Sequence, residues 1–486
     1  MSEIKYVIIS DLHLGAENSI LTNLKNNSYE TDNSEAGPVL KALVSCIKKV
    51  LEKNKGKQKP KLILNGDILE LSMTTTNQSA MAFQRFIELI MPKQCNDQNP
   101  PNNQLFDSEI ILIPGNHDHH LWETSRYNYF LERLKKTVPG NFIDAPIHVT
   151  PMFNPKQIPS KILTTLIHSY SHLKGYRYLK NTKVSTVYPC YAIQNKKKNR
   201  CMIMSHGHYI ESMYSLMSTI DKMIFTDRIP PSWLADLEAD NFAWIDFAWS
   251  VLGRSGIVGS DITLGYDKIQ SPKQVQWMMN SFVNSYSKNI QGFVKRWIEC
   301  NVMKDVMAAT IGNMAKNERS QDGILTTGSL QGLKKYLEIF VRNQLNAELH
   351  NIIPKHVSFL FGHTHKPFEQ DMTFQGYENS VQVYNSGGWV VDTTQTMPFH
   401  GGSVLFVNDE LETVSLNMYK EGLFTPSFQV SGYRQHWDKN SLYKWLIKEI
   451  NLKEDVWRKF EEEAQKQVEL RYFYLKEIIQ SNYIST

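Results

Sequence analysis

Through residue 136 the chain alternates short, continuous apolar runs with longer stretches in which apolar residues recur at helical spacing. Residues 4–10, 61–65 and 109–113 are apolar without alternation and rich in β-branched side chains, which predicts strands buried on both faces. Residues 38–53, 79–91 and 121–136 predict the helices between and after them. A βαβαβ opening of this kind predicts a parallel sheet core. The polar stretch 93–104 has nothing to bury and reads as a surface loop. From 142 to 205 the helical period fades, and TVYPCYAI and RCMIM flank NKKKN, predicting two strands joined by a basic turn. Lys196, Lys197 and Lys198 read as the solvated tip of that hairpin.

Beyond residue 208 the character changes. Residues 209–351 hold several helix-period segments rich in Trp, Met and Phe, with Ser271 (before Pro272) and Ser329 as N-cap candidates. Strands resume at 356–361, 380–385, 402–408 and 411–417, and residues from about 440 to 482 are helical again. The expected organisation is a catalytic domain from 1–208 and 352–432, a helical cap at 209–351 and a C-terminal helical extension at 433–486.

With 486 residues, 41% of them apolar and 21% charged, the chain has material for a large core and is not disordered in composition. A formal charge of +4 is small for this length and argues against a protein built to coat nucleic acid. The five cysteines are scattered without a CxxC pair, so neither a disulfide framework nor a zinc knuckle is indicated. The apolar run near the start is too short for a signal peptide, and no stretch reaches the roughly 18 apolar residues of a spanning helix. A cytoplasmic location is the expectation.

The chemistry sits where the apolar runs end. YVIIS leads into Asp11-Leu12-His13, KLILN into Gly66-Asp67, IILIP into Gly115-Asn116-His117-Asp118, CMIMS into His206-Gly207-His208, and VSFLF into Gly362-His363-Thr364-His365. Oxygen and nitrogen donors after successive strands predict one site at the carboxyl edge of a sheet, where a pair of divalent cations can share a water. Alternation along a strand puts Asp11 and His13 on one side, able to grip one ion, with Asp67 as a bridging carboxylate. The second ion needs neutral donors, supplied by Asn116, His206 and His363, while His365 returns to the first. His117 is placed as a general acid toward the leaving oxygen, and Glu70 as the carboxylate that holds its imidazole. His208 rivals His206 but does not directly end the strand, so it reads as a substrate contact. His119 and His120 read as polar residues at a helix start, and His168 with His172 as solvent or core histidines without a nearby carboxylate. GRSGIVGSDITLG at 253–265 follows no strand and carries no GKS/T, so it reads as an interhelical turn.

The series DxH, GDxxE, GNHD, HG and GHTH resembles that of the calcineurin-like metallophosphoesterase superfamily. Asn385-Ser386-Gly387-Gly388-Trp389 also resembles the turn that follows its last metal motif. Within the superfamily SDLHLG, GDILE and GHTHKP look most like bacterial UDP-diacylglucosamine hydrolases and their relatives, which often carry Arg where His117 stands. The resemblance implies an α/β fold, a two-sheet sandwich flanked by helices, here with a large helical insertion. It implies first-ion ligands Asp11, His13, Asp67 and His365, second-ion ligands Asp67, Asn116, His206 and His363, and His117 as acid.

The expected activity is hydrolysis of a phosphodiester, phosphomonoester or pyrophosphate bond through a hydroxide shared by two divalent ions. Carboxylate, amide and imidazole donors suit Mn²⁺, Fe or Zn²⁺, with Mn²⁺ expected. A cap beside the ligand strand favours a small or lipid-linked phosphorylated substrate. Trp233, Trp244, Trp249, Trp277 and Trp297 either fill the core of that cap or face a lipid or a membrane surface. Two other readings stand beside this one: a DNA or RNA nuclease, which the near-neutral charge disfavours, and a catalytically silent metal-binding scaffold, which the intact donor series disfavours. The sequence carries no signal for oligomeric state.

Overall fold

The computed structural model describes residues 3–26, 28–56, 58–91, 104–138, 140–141, 145–153, 158–169, 181–251, 323–394, 396–422, 426–429 and 439–484. In chain order the strands are β1 Ile4–Ile9, β2 Lys61–Leu64, β3 Glu109–Leu112, β4 Ile158–Pro159, β5 Lys183–Thr186, β6 Cys190–Gln194, β7 Arg200–Ser205, β8 His356–Phe361, β9 Phe368–Met372, β10 Val381–Asn385, β11 Gly401–Asn408, β12 Thr413–Lys420 and β13 Ser427–Gln429. The helices are α1 Pro38–Glu52, α2 Thr76–Ile90, α3 His120–Leu134, α4 Lys161–Ser169, α5 Leu216–Ile224, α6 Leu234–Ile245, α7 Thr327–Lys335, α8 Arg342–Glu348, α9 Ser441–Glu449 and α10 Asp455–Ile484.

These strands form two mixed sheets, one of order β13-β12-β11-β1-β2-β3-β5-β4 and one of order β6-β7-β8-β10-β9. In the first, β1, β2, β3 and β5 run parallel, and in the second β7, β8 and β10 do. The continuous apolar runs are explained by burial on both faces. Ile8, Ile63 and Ile111 pack with Met202, Met204, Leu360 and Leu405. Their neighbours Val7, Leu62, Leu64, Ile110 and Leu112 pack with Val39, Leu43, Phe83, Trp457 and Phe460 of α1, α2 and α10. Cys201, Ile203, Phe359 and Phe361 of the second sheet pack with Leu333, Tyr336 and Leu337 from the insertion. The result is helix, sheet, sheet, helix: a sandwich of two sheets with helices on both outer faces.

Some boundaries differ from those expected. α2 starts at Thr76 rather than 79, because Thr75 and Gln78 form a reciprocal capping box. The region 142–205 holds β4, α4 and β5 as well as the β6–β7 hairpin: α4 carries Ile162, Leu163, Leu166 and Ile167 at helical spacing, whereas β5, KVST, has a single apolar residue to mark it. Ser329 is not an N-cap: Thr326 caps α7, its hydroxyl accepting from the Ser329 amide. The last helical stretch is two helices, α9 and α10, separated by residues 450–454. Ser271, Trp277, Trp297, the 253–265 segment, His172 and most of 93–104 lie outside the described residues. Among those described, no helix is long and apolar enough to cross a membrane.

Candidate metal centre

The donor motifs divide between the two sheets rather than lining one. Asp11 and His13 follow β1, Asp67 follows β2 and Asn116 follows β3, whereas His206 follows β7 and His363 and His365 follow β8. The site lies where the carboxyl ends of both sets of parallel strands meet. Nor does strand alternation aim the paired donors, because both pairs lie beyond the strand ends. Asp11 and His13 have φ of 52° and 44°, His363 and His365 of 64° and 54°, and Asp67 of 51°. Left-handed backbone at five non-glycine donors is uncommon and clusters at functional sites.

The side chains close on one another. Donor atoms of Asp11, His13 and His365 lie within 4.8 Å of each other, as do those of Asp67, His206 and His363; His13, Asp67 and His117 form an overlapping group. Asp67 Oδ2 stands between the two sides, 3.1 Å from His206 Nε2 and 3.8 Å from His13 Nε2. Asn116 Oδ1 is 3.0 Å from the same His206 nitrogen. Asp11 Oδ1 accepts from the His363 amide at 2.8 Å and lies 3.5 Å from His365 Nε2. A Cβ at Gly362 would collide with the Asp11 carboxylate, and one at Gly115 with that of Asp67.

Divalent cations fit this set. Asp11 Oδ2 and His13 Nε2 are buried without a hydrogen-bond partner, and a buried orphan of this kind is costly unless something charged satisfies it. Electrostatics agree. Burial alone would lower the pKa of His206 and His365, yet Asp67 and Asp11 raise the first to about 9, and Asp11 with Asp392 raises the second to about 10. Burial opposes ionisation of Asp67 as well, but His206 and His117 hold it well below the ordinary carboxylate range. The carboxylates therefore create a field that demands positive charge, and protons or metal ions can answer it.

Glu70 is fully buried and serves two imidazoles, with Oε2 2.8 Å from His13 Nδ1 and Oε1 3.0 Å from His117 Nδ1. Ser72 donates to the same Oε1 at 2.6 Å and lies 2.7 Å from His117 Nδ1. With Nδ1 held, Nε2 is the His117 atom left to face a reacting group. His117 is pushed up to about 9, burial being outweighed by Glu70 and Asp67.

His208 is buried among Tyr188, Tyr209 and Tyr214 and lies 3.2 Å from the Tyr188 hydroxyl. Burial, reinforced by His206, keeps it neutral. Sequence reading passed over several residues. Asp118 accepts from the amides of Gly115 at 2.7 Å and Ile68 at 2.8 Å, pinning the β2 and β3 loops together. Its presence in the GNHD motif was the only signal. His119 and His120 bind the insertion: His119 Nε2 lies 3.0 Å from Glu238 Oε1, and His120 Nδ1 lies 3.2 Å from Asp246. Glu238 also accepts from Tyr188 at 3.0 Å and from Tyr209. Ser250 donates to the Asn116 carbonyl at 2.7 Å. Tyr214 and Trp249 from the insertion stand 5.2 Å from the His363 ring and 6.4 Å from the His117 ring. His168 bonds the Thr182 carbonyl at 2.7 Å, away from these donors.

Carboxylate, amide and imidazole donors gathered at the carboxyl ends of a double sheet define a metallophosphoesterase. The calcineurin-like phosphoesterase family matches residues 4–248, half of the chain, and the chain belongs to that family of divalent-metal-dependent hydrolases. The match carries Asp11 through His206 and ends inside the insertion, before His363 and His365. Comparison with curated proteins gives no match.

Proposed function

We propose that the chain cleaves a phosphodiester, phosphomonoester or pyrophosphate bond in a small or lipid-linked substrate, using two divalent cations. Asp11, His13, Asp67 and His365 hold the first ion, and Asp67, Asn116, His206 and His363 the second. The observation that carries this reading is Asp67 Oδ2, placed within 4 Å of a donor nitrogen on either side while Asp11 Oδ2 and His13 Nε2 stand buried and unmatched. Two cations there supply the positive charge that acidifies an attacking water and neutralises the phosphoryl oxygens. The residues do the rest. His117, its Nδ1 fixed by Glu70, presents Nε2 to the departing oxygen and protonates it. Asp118 ties the Asp67 and Asn116 loops to one another, so that the carboxylate and amide donors keep their spacing. Tyr214 and Trp249 place aromatic faces beside the donors and keep water from one side of the site. A donor set with oxygen and imidazole and no thiolate suits Mn²⁺, Fe or Zn²⁺, and Mn²⁺ is the ion we assign.

Turnover with Mn²⁺ is measured against bis-p-nitrophenyl phosphate, p-nitrophenyl phosphate and single-stranded DNA, with Asp67→Ala alongside. Hydrolysis of either small ester, abolished in the variant, supports the proposal. Degradation of DNA without small-ester turnover makes the protein a nuclease, and metal binding without any turnover makes it a scaffold. Activation by detergent or liposomes selects a lipid-linked substrate over a water-soluble one.

A further inference from the structure

The family match ends far short of α10, yet two consecutive residues of that helix reach opposite arms of the first-ion ligand set. Arg471 is fully buried and donates through Nη2 to the carbonyls of Ser19 at 2.6 Å and Thr22 at 2.8 Å. Ser19 in turn donates its hydroxyl to the carbonyl of Leu12 at 2.7 Å, the residue between Asp11 and His13. Its neighbour Tyr472 donates to Glu421 Oε2, and Glu421 Oε1 lies 4.0 Å from His400 Nδ1. That nitrogen is 3.7 Å from Asp392 Oδ1, and Asp392 Oδ2 is 3.7 Å from His365 Nδ1. His365 turns its other nitrogen, Nε2, toward Asp11. A third connection is apolar: Phe460 packs edge-on against Trp389, whose amide donates to the Asp11 carbonyl at 3.2 Å.

We infer that α10 is a clamp on the first ion, with Arg471 and Asp392 as positioning residues that set Asp11, His13 and His365. The inference rests on the reading of those three as first-ion ligands. A carboxylate behind a ligating imidazole fixes its tautomer and orientation and raises its basicity, which is the place Asp392 occupies. A planar guanidinium on two carbonyls holds a loop that the left-handed turns at Asp11 and His13 would otherwise be free to relax. These routes end on Asp11, Leu12 and His365, and the second set is met one bond further on, where the His363 amide donates to Asp11 Oδ1 at 2.8 Å, so the clamp bears first on one ion.

The test is calorimetric titration of the metal-free full chain with Mn²⁺ alone, resolving two affinities, beside electron paramagnetic resonance of the ion pair. Asp392→Asn, at a partly exposed site, is expected to weaken one affinity about 10- to 100-fold and leave the other unchanged. Arg471→Lys, which keeps the charge but not the fork, is expected to weaken that same affinity, with the far-ultraviolet spectrum unchanged. Asp11→Asn identifies which affinity belongs to the first ion. Equal weakening of both affinities, or none, in folded variants overturns the clamp while the ligand reading stands. A wild-type chain that takes up no pair of Mn²⁺ ions overturns both.

Discussion

His117 and Glu70 show how much of this site hangs on single side chains. Glu70 holds Oε2 2.8 Å from His13 Nδ1 and both of its oxygens within 3.0 Å of His117 Nδ1, so it serves a proposed ligand, His13, and the proposed acid, His117. Replacing His117 with Ala should leave both ions bound and slow turnover about 10²- to 10⁴-fold, measured as kcat with metal content determined on the same sample. Loss of an ion would move His117 into the ligand set. Glu70→Gln should do more, weakening the ion held by His13 as well as turnover, and it should shift the pH profile. Burial lowers the His117 pKa and Glu70 raises it, so the acid stays protonated to higher pH with the carboxylate present. Bound cations push in the opposite direction, which makes the difference between variants the informative quantity. The alkaline limb of kcat against pH should fall at lower pH in Glu70→Gln than in the wild type; an unmoved limb separates the acid from Glu70. At this scale the sequence was readable for the donors, because each ends an apolar run. Glu70 was legible as a partner of His117 but not of His13, and Asp118 was legible as part of GNHD but not in its role, since accepting backbone amides leaves no periodic trace.

Among the elements, α6 meets the sandwich through a buried carboxylate. Its Glu238 is fully buried and takes hydrogen bonds from Tyr188, Tyr209 and His119, residues that precede the insertion or open it. Glu238→Ala strands those donors in a dry site, and breaking a buried pair in this way costs about 3–5 kcal/mol, read as a lower urea midpoint. The same contact has a pH signature. Burial disfavours charged His119, but Glu238 and Asp246 raise its pKa from 6.5 to about 9. A histidine raised on folding stabilises fully below its unfolded pKa, and that contribution is lost as the pH climbs through the folded value. In the metal-loaded protein the stability gap between wild type and His119→Gln should therefore shrink from pH 6.5 toward 9, and a constant gap would separate His119 from the docking. The helices and longer strands were legible because period and capping are local properties. β5 was not, because KVST holds a single apolar residue, and α4 was passed over although Ile162, Leu163, Leu166 and Ile167 stand at helical spacing; the docking of α6 was invisible because His119 and Glu238 are 119 positions apart.

For the molecule as a whole, the division of the donors between two sheets could not be read from the chain, since strand order is set by long-range pairing and not by any local run. It has a consequence for stability. Asp11, His13, Asp67 and Asn116 come from one sheet and His206, His363 and His365 from the other, so ions bound among them join the two halves of the sandwich. The unfolded chain has no such site, and a ligand that binds only the native state adds RT ln(1 + [L]/Kd), about 2.7 kcal/mol when the free ion stands at 100 times Kd. Removing the ions also leaves the buried Asp11 and Asp67 carboxylates with only protonated imidazoles to oppose them. Chelation should therefore lower the thermal midpoint in a single transition seen equally by probes on both sheets, and added Mn²⁺ should restore it with a dependence on ion concentration. Asp67→Ala, which loses the carboxylate shared by both proposed ligand sets, should unfold at the same temperature with and without chelator. A midpoint in the wild type that ignores chelation would mean that the two sheets hold their donors together without help from any ion.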